Sequence, residues 1–145
     1  MSTKQLLNTE PASRLDQSRI EQLARTLSQA ADLEFAVLIG SRATESASFD
    51  SDWDIALQWK RGLDGLATLA QTETLRHQLA NALSVQADAI DLIDLPHASL
   101  AMRAVVAEEG IPLVGDNTLA WVHFLSRTWR EMEMFYWDKE DQRAA

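Results

Sequence analysis

Residues 40–54 read GSRATESASFDSDWD: a glycine–serine turn, ten further residues, and two aspartates separated by a tryptophan. The turn follows the apolar run 35–39, which indicates a buried strand. Asp52 and Asp54 begin a second strand-like run, and alternate residues of a strand point to the same face of a sheet. Two carboxylates on one strand face can therefore hold the same metal ion or pair of ions.

The residue types in this stretch suit a nucleoside triphosphate. Carboxylate oxygens are the ligands that Mg²⁺ prefers, and Mg²⁺ usually shares its coordination shell with substrate phosphates. A turn at Gly40 lets the backbone approach a phosphate closely, and the hydroxyl of Ser41 can donate to phosphate oxygens. Arg42 can reach the triphosphate or a partner, or it can simply cover the surface. The stretch therefore predicts a magnesium-dependent nucleotide site.

The stretch also resembles the signature of the DNA polymerase β-like nucleotidyltransferase superfamily, in which Gly-Ser precedes Asp-x-Asp by ten residues. More narrowly, the chain resembles the minimal nucleotidyltransferase antitoxins, the MntA-type proteins encoded beside HEPN-domain ribonuclease toxins. The family pattern continues with a third acid on the next core strand, which Asp91 matches. The resemblance covers about residues 33–113. Thr44 and Glu45 stand where the family often has arginine and glycine, which removes a possible phosphate contact.

The resemblance implies an α/β fold with a small mixed sheet backed by helices and an active site at one edge. It implies a protein adenylyltransferase that moves AMP from ATP, with two Mg²⁺ ions, to a tyrosine of a HEPN ribonuclease and so acts as its antitoxin. A hetero-oligomer with that toxin is expected. The site residues that it implies are Asp52, Asp54 and Asp91 for metal binding and catalysis, and Gly40, Ser41 and Arg42 for nucleotide binding.

Asp91 also attracts attention on physical grounds. It shares a predicted strand face with Ala89 and Ile93, which we expect to be buried, and a buried carboxylate needs a partner or a metal. Asp88 and Asp94 have the opposite parity and lie near the strand ends. We interpret them as a loop acid and a possible helix cap.

Composition limits the classes of protein that remain. A chain of 145 residues suits one domain, which we place at residues 13–145 after a loosely held lead-in at 1–12. The net charge of −9 argues against direct nucleic-acid binding, which uses basic surfaces. Acidity suits a basic protein partner, such as the RNA-binding face of a ribonuclease, and it equally serves solubility.

The absence of cysteine excludes disulfides and thiolate metal sites. No run approaches the ~18 residues of a membrane span, so we expect a cytoplasmic protein with no membrane contact.

Hydrophobic periodicity predicts alternating helices and strands over most of the chain. Predicted helices cover 13–31, 66–83, 96–109 and 117–139, with a helical turn at 42–48, and predicted strands cover 35–39, 52–58, 89–95 and 111–114. Pro96 is expected to begin the third helix, and Gly110 to end it in the left-handed conformation.

The last predicted helix, 117–139, carries aromatic residues around much of its circumference. At ~100° per residue, Trp121 and Trp137 lie about 160° apart, so one buried stripe cannot include both. Tryptophan and tyrosine are enriched in binding hot spots. We therefore expect Trp129, Tyr136 and Trp137 to bind the toxin. The alternative is a helix buried on two sides within the domain.

Two other functions stay open at this point. A nucleotidyltransferase acting on a small molecule, of the aminoglycoside type, fits the same chemistry, but such enzymes usually carry an additional helical domain and little chain follows residue 113. A non-catalytic antitoxin that occludes the toxin needs no metal site. The three acids argue against it, whereas Thr44 and Glu45 favour it.

Overall fold

Four strands alternate with four longer helices along residues 11–144, the part of the chain that the computed structural model describes. The predicted lead-in therefore lies almost wholly outside the described residues. The elements in order are α1 (Pro11–Ser28), β1 (Leu33–Ile39), β2 (Trp53–Trp59), α2 (Gly65–Leu83), β3 (Ile90–Asp94), α3 (Leu100–Glu109), β4 (Ile111–Val114) and α4 (Leu119–Ala144). Short 3₁₀ turns cover Gly40–Arg42, Ala87–Ala89 and Leu95–His97.

The four strands form one mixed sheet in the order β3-β2-β1-β4. β1 pairs antiparallel with both β2 and β4, whereas β2 and β3 run parallel. The parallel pair is possible because α2 carries the chain back from one end of the sheet to the other, as parallel strands require a long crossover. The expected small mixed sheet backed by helices is confirmed.

The two central strands are buried on both faces, which explains their nearly continuous apolar sequence. One face carries Ala36 and Leu38 of β1 with the odd-numbered residues of β2, and α1 and α2 cover it. The opposite face carries Phe35, Val37 and Ile39, and α3 and the first turns of α4 cover it. Two apolar clusters therefore hold the sheet rigid between two layers of helices.

The third helix begins and ends differently from the prediction. It starts at Leu100, where the Ser99 hydroxyl accepts a hydrogen bond from the Met102 backbone at 3.1 Å, and Pro96 lies in the preceding 3₁₀ turn. Gly110 has a φ of −69°, so the predicted left-handed cap is wrong. A side chain there would collide with Val37 and with the carbonyl of Val106. The glycine is needed because α3 passes close to β1.

The fourth helix packs against the sheet only near its beginning. Trp121 lies edge-on to Phe35 with ring centroids 5.1 Å apart, and it stacks on Phe124 at 5.5 Å. In contrast, every side chain from 133 to 142 is exposed. α4 also extends beyond the predicted end at residue 139, to Ala144. Within residues 11–144, no helix has both the length and the apolar character needed to cross a membrane.

Candidate active site

The turn after β1 places backbone directly against a carboxylate. Gly40 has a φ of +76°, in the region that favours glycine. A Cβ added to Gly40 would lie 2.5 Å from Oδ2 of Asp54, so the contact also leaves no room for a side chain. The glycine of the motif is therefore required twice, once by its backbone conformation and once by the acid beside it.

Two of the three predicted acids are neighbours across the parallel strands. Asp54 of β2 is in register with Asp91 of β3, and Asp52 precedes Asp54 by two residues. Burial raises the pKa of Asp54 above its ordinary value, and the nearby Asp91 and Asp52 carboxylates raise it further. The structure thus brings the three sequence-predicted acids into one electrostatic group at one edge of the sheet.

The expected burial of Asp91 is wrong. β3 is an edge strand, and Asp91 is exposed, while Ile93 on the same face is only half-buried. Ala89 belongs to a 3₁₀ turn instead of the strand. Asp91 therefore needs no partner to compensate for burial. Its link to the site comes from its register with Asp54, which the sequence alone could not reveal.

The donor set fits a hard cation that keeps other ligands. Among residues 11–144, no three acidic or histidine side chains lie close enough together to hold a metal ion by themselves, and this includes the predicted set Asp52, Asp54 and Asp91. Mg²⁺ rarely has a complete protein cage, because it commonly binds one or two carboxylates together with water and substrate phosphates. Burial raises the pKa of Asp54 most and the neighbouring Asp91 and Asp52 raise it further, and a divalent cation would relieve the repulsion among these acids.

Ser41 and Arg42, the other two predicted nucleotide-binding residues, lie in the 3₁₀ turn that begins at Gly40. Ser41 is half-buried, and its carbonyl accepts a hydrogen bond from the Ser46 backbone at 3.0 Å. Its contact with phosphate stays a prediction. Arg42 is buried instead of spread over the surface, with its guanidinium 4.3 Å above the Trp53 ring.

Arg42 holds the loop between the turn and β2 in place. Its Nη2 donates to the carbonyls of Phe49 at 3.3 Å and Ser51 at 2.8 Å, and its Nη1 lies 3.5 Å from a carboxylate oxygen of Asp16. These contacts favour a bracing role for Arg42, and its predicted contact with nucleotide remains untested. Arg42 therefore fixes the position of the loop that joins the glycine turn to Asp52.

The loop itself is not the helical turn predicted for 42–48. Helical geometry ends at Arg42, and Glu45 adopts a φ of +60°, which disfavours continuation of a helix. The backbone N–H of Ser48 donates to the Ser51 hydroxyl at 2.9 Å, and the Ser48 hydroxyl donates to Asp50 at 2.8 Å. This network holds the pKa of Asp50 below its ordinary value. Phe49, a lone aromatic residue among serines and acids, was not predicted as a site residue, and its side chain is exposed in this loop.

Asp88 and Asp94 lie outside the paired carboxylates. Asp88 is in the 3₁₀ turn before β3, and Asp94 is paired in register with Leu57, away from Asp54. Asp94 contacts His97, with Oδ2 and Nδ1 2.5 Å apart, and it does not cap a helix. The structure therefore leaves Asp91 as the third acid that is in register with the motif.

The three aromatic residues predicted to bind a partner all have exposed side chains on α4. Tyr136 and Trp137 lie in its outer half, residues 132–144, whereas Trp129 follows the buried Thr128. Trp129, Tyr136 and Trp137 are 52%, 61% and 64% exposed. The alternative of a helix buried on two sides therefore does not hold for this part of α4. Their role in binding stays a prediction.

Comparison with known proteins relates this geometry to a family and to solved complexes. The family model described as "Polymerase beta, Nucleotidyltransferase" matches residues 21–119. One similar structure is a toxin–antitoxin with AMP-PNP, at 24% identity and a TM-score of 0.57 over 84% of this chain and 98% of that chain. Another contains the tri-AMPylated Shewanella oneidensis HEPN toxin in complex with MNT antitoxin, at 24% identity and 0.57 over 90% and 99%.

A third similar structure is a mutant of the toxin–antitoxin pair MntA–HpeT. It shares 26% identity with this chain and has a TM-score of 0.54, over 89% of this chain and 98% of that chain. No protein with a curated functional description matches the sequence. The fold is thus shared, at low sequence identity, with chains of solved toxin–antitoxin structures, and the match covers nearly the whole length of those chains.

Proposed function

Because this chain belongs to the polymerase β nucleotidyltransferase family, we propose that it is an antitoxin that transfers AMP from ATP to a tyrosine of a HEPN ribonuclease. The neighbouring structures support this proposal. One pairs an MNT antitoxin with a HEPN toxin that carries AMP groups, and another holds an ATP analogue. AMP on the toxin would add bulk and negative charge where RNA phosphates must bind.

The observation that carries the proposal is the register of Asp54 with Asp91 beneath the glycine turn. The pairing places one carboxylate of the Asp-x-Asp motif beside the third acid, and Gly40 packs backbone against Asp54. A protein that only binds its partner has no need for a carboxylate whose pKa is raised first by burial and then by two neighbouring acids. Such crowding of acids is typical of sites where charge is used in chemistry.

The reaction is an in-line displacement at the α-phosphorus of ATP. The tyrosine Oη forms the new P–O bond, the bond from the α-phosphorus to the bridging oxygen of the leaving group breaks, and pyrophosphate departs. Two divalent ions, when bound, would stabilise the attacking and leaving oxygens. Asp52 and Asp54 would hold these ions between the strand end and the phosphates.

The remaining residues position the reactants. Asp91 lies on the exposed edge strand, where it can accept the tyrosine proton and contact the ion beside the attacking oxygen. The backbone at Gly40 would approach the phosphates closely, and the Ser41 hydroxyl would donate to one of their oxygens. Arg42 would act indirectly by fixing the loop that joins the turn to Asp52.

The outer half of α4, together with the exposed Trp129 just before it, supplies the surface that we propose for the toxin. Trp129, Tyr136 and Trp137 are exposed on a helix that extends past the core. Exposed aromatic side chains grouped in this way mark interaction sites in soluble proteins. A toxin bound to this half of the helix would be held by the same chain that carries the metal site.

The proposal is tested by co-expressing this chain with a HEPN ribonuclease encoded beside it and measuring the intact mass of that ribonuclease. We expect a gain of one or more AMP units with the wild-type chain and none with Asp52→Ala. Asp88→Ala is the matched control, since Asp88 is an acid outside the carboxylate group. An unmodified toxin that is nevertheless inactive beside the wild-type chain would contradict the proposal.

Occlusion without chemistry is the second candidate, and the exposed aromatic surface of α4 is the observation that favours it. Under occlusion, Asp52→Ala would neutralise the toxin as well as the wild-type chain does. Under AMP transfer, the same variant would form the complex and leave the ribonuclease active. A ribonuclease assay on the purified complex separates the two functions.

A further inference from the structure

Arg76 on α2 makes a contact across the fold that the site described above does not include. Its Nη1 donates to the backbone carbonyl of Ile90, the first residue of β3, and its Nε donates to Glu73 on the same helix at 3.2 Å. The Arg76 side chain is only 23% exposed. A half-buried arginine that donates to a backbone carbonyl 14 positions further along the chain is a fixed link between α2 and β3.

β3 is the element of the site that needs such a link most. It is five residues long, lies at the edge of the sheet and pairs with β2 alone. An edge strand has ladder hydrogen bonds on one side only, so its backbone is held less firmly than that of a central strand. Arg76 adds a hydrogen bond from the helix at the first residue of this strand. α2 thus helps to fix the beginning of β3.

The residue that Arg76 holds is the one directly before Asp91. The Ile90 side chain is fully buried, in the apolar cluster that also contains Leu79 and Leu83 of α2. Ile90 is therefore held twice, by the packing of its side chain and by the hydrogen bond from Arg76. The Asp91 side chain is exposed, so its position depends on the backbone that carries it.

The proposed transfer requires Asp91 in a fixed place beside Asp54. The two residues are in register across β3 and β2. A displacement of about 1 Å at a reacting group can cost about a hundredfold in rate. Strand pairing holds β3 on the side of β2, and Arg76 holds the carbonyl next to the acid. A loss of the second contact should therefore reach the chemistry through Asp91.

We propose that Arg76 is a positioning residue for the AMP transfer, which keeps Asp91 in place beside Asp54 by holding the Ile90 carbonyl. The inference rests on the proposed function, because it gives Arg76 a role in that reaction. Arg76 touches neither ATP nor the metal ions in this role and acts only through Asp91. A residue outside the nucleotidyltransferase motif thereby becomes part of what the reaction requires.

The test compares Arg76→Met in the wild-type chain and in Asp91→Asn. Methionine suits a helix about as well as arginine and keeps an apolar stem, but it has no hydrogen-bond donor. In the wild-type chain, Arg76→Met should slow single-turnover AMP transfer to the toxin about tenfold and leave the affinity for Mg²⁺–ATP unchanged, since Asp52 and Asp54 keep their places. In Asp91→Asn, which already lacks the acid, the same change should slow transfer by less than about twofold. An equal loss of rate in both chains would indicate a general structural effect and would overturn the inference.

Two further variants separate the link to β3 from the ion pair on α2. In Arg76→Lys, the ammonium group can still donate to the Ile90 carbonyl, so transfer should stay within about threefold of the wild-type rate. Glu73→Gln is the matched control, because it removes the acidic partner of Arg76 and leaves the contact with Ile90, and its rate should be unchanged. A loss in Glu73→Gln as large as that in Arg76→Met would show that the ion pair matters and would overturn the inference.

Hydrogen exchange in the isolated chain tests the link without the reaction. Arg76→Met should speed exchange of the backbone amides at 90–92 and leave those at 36–38, in the central strand β1, unchanged. Unchanged exchange at 90–92 would overturn the inference. A wild-type chain that transfers no AMP would overturn the proposed function and this role together, whereas transfer by Arg76→Met at the wild-type rate would overturn the inference alone.

Discussion

The glycine-turn edge of the sheet and the outer half of α4 are built in opposite ways. At the sheet edge, strand register and a backbone–carboxylate contact fix each group, so that Gly40, Asp54 and Asp91 are held by the domain itself. Beyond residue 132, α4 places every described side chain up to 142 in solvent. One region is complete within the chain, whereas the other leaves aromatic surface uncovered.

The difference separates the two tasks of the proposed antitoxin. Chemistry requires groups held in fixed positions before the substrate arrives. Recognition can leave apolar surface exposed until a partner covers it, and that burial then contributes to affinity. Substitutions at the sheet edge should therefore change turnover with the complex intact, while substitutions on outer α4 should change complex formation with the site intact.

The largest expected effect is at the carboxylates. Asp54→Asn should lower the rate of AMP transfer by at least about a thousandfold, because it removes a charged ligand from the site that stabilises the transferring phosphoryl group. The complex with the toxin should form with unchanged affinity. Single-turnover transfer and a binding titration, made on the same preparation, measure both quantities.

Asp91→Asn sharpens the same test. The Asp-x-Asp motif stays intact in this variant, so Mg²⁺–ATP should still bind while transfer slows. Asp94→Asn is the control, since it changes an acid of the same strand that is not in register with Asp54. Transfer at the wild-type rate in Asp91→Asn, or a slower rate in Asp94→Asn alone, would contradict the assignment of the third acid.

The next effect should appear on outer α4. Tyr136→Ser and Trp137→Ser should each weaken the complex with the toxin by about 30-fold, the magnitude of a hot-spot residue worth about 2 kcal/mol. Both side chains are exposed, so the variants should remain folded and bind ATP normally. Leu119→Ser removes an exposed apolar side chain at the other end of the helix and should change little. Equal losses of affinity in all three variants would indicate that removing any exposed apolar side chain weakens the complex.

The sequence predicted most of the fold because the two central strands are buried on both faces. The apolar run at 35–39 predicted β1 and the strand-like run at 53–57, interrupted only by Asp54, predicted β2, each to within two residues, and the Gly-Ser and Asp-x-Asp spacing located the turn between them. The predicted helix boundaries were wrong where local backbone geometry, and not hydrophobic periodicity, sets the end of the helix. Pro96 lies in a 3₁₀ turn, and Gly110 is required by the close approach of α3 to Val37, which periodicity cannot report.

The sequence predicted the acidic residues of the site but not the contacts that surround them. The spacing of Asp52 and Asp54 follows from strand geometry, whereas the pairing of Asp54 with Asp91 depends on a register formed across a crossover. Arg42 lies next to Ser41 in sequence, yet its side chain turns inward to Trp53 and the loop carbonyls. Such long-range hydrogen bonds leave no periodic trace in the sequence.

A smaller effect concerns stability and pH. The pKa of Asp54 is raised in the folded chain, chiefly by burial, so the folded state binds this proton more tightly than the unfolded state does. Stability from this group is present in full below the unfolded value near 3.8 and is lost as pH rises through the raised pKa. Asp54→Asn should therefore raise the melting temperature at neutral pH, and the gain should shrink toward pH 3. A gain that is equal at both pH values would show that the ionised carboxylate of Asp54 is not its cause.

The smallest expected effect lies in the loop that joins the two halves of the motif. Glu45 adopts a φ of +60°, a conformation that costs a side-chain-bearing residue about 1–2 kcal/mol, and the family often has glycine at this position. Glycine would remove that strain but would also make the unfolded chain more flexible, which offsets about 0.4–1 kcal/mol. Glu45→Gly should therefore stabilise the chain by roughly 0.5–1 kcal/mol, or about 1–4 °C in melting temperature. Glu45→Ala removes the same charge and keeps the strain, so it should give no such gain. If Glu45→Ala stabilises the chain as much as Glu45→Gly does, the gain comes from removing the charge and not from relieving backbone strain. In that case the loop carries no conformational cost at residue 45, where this chain departs from the family pattern.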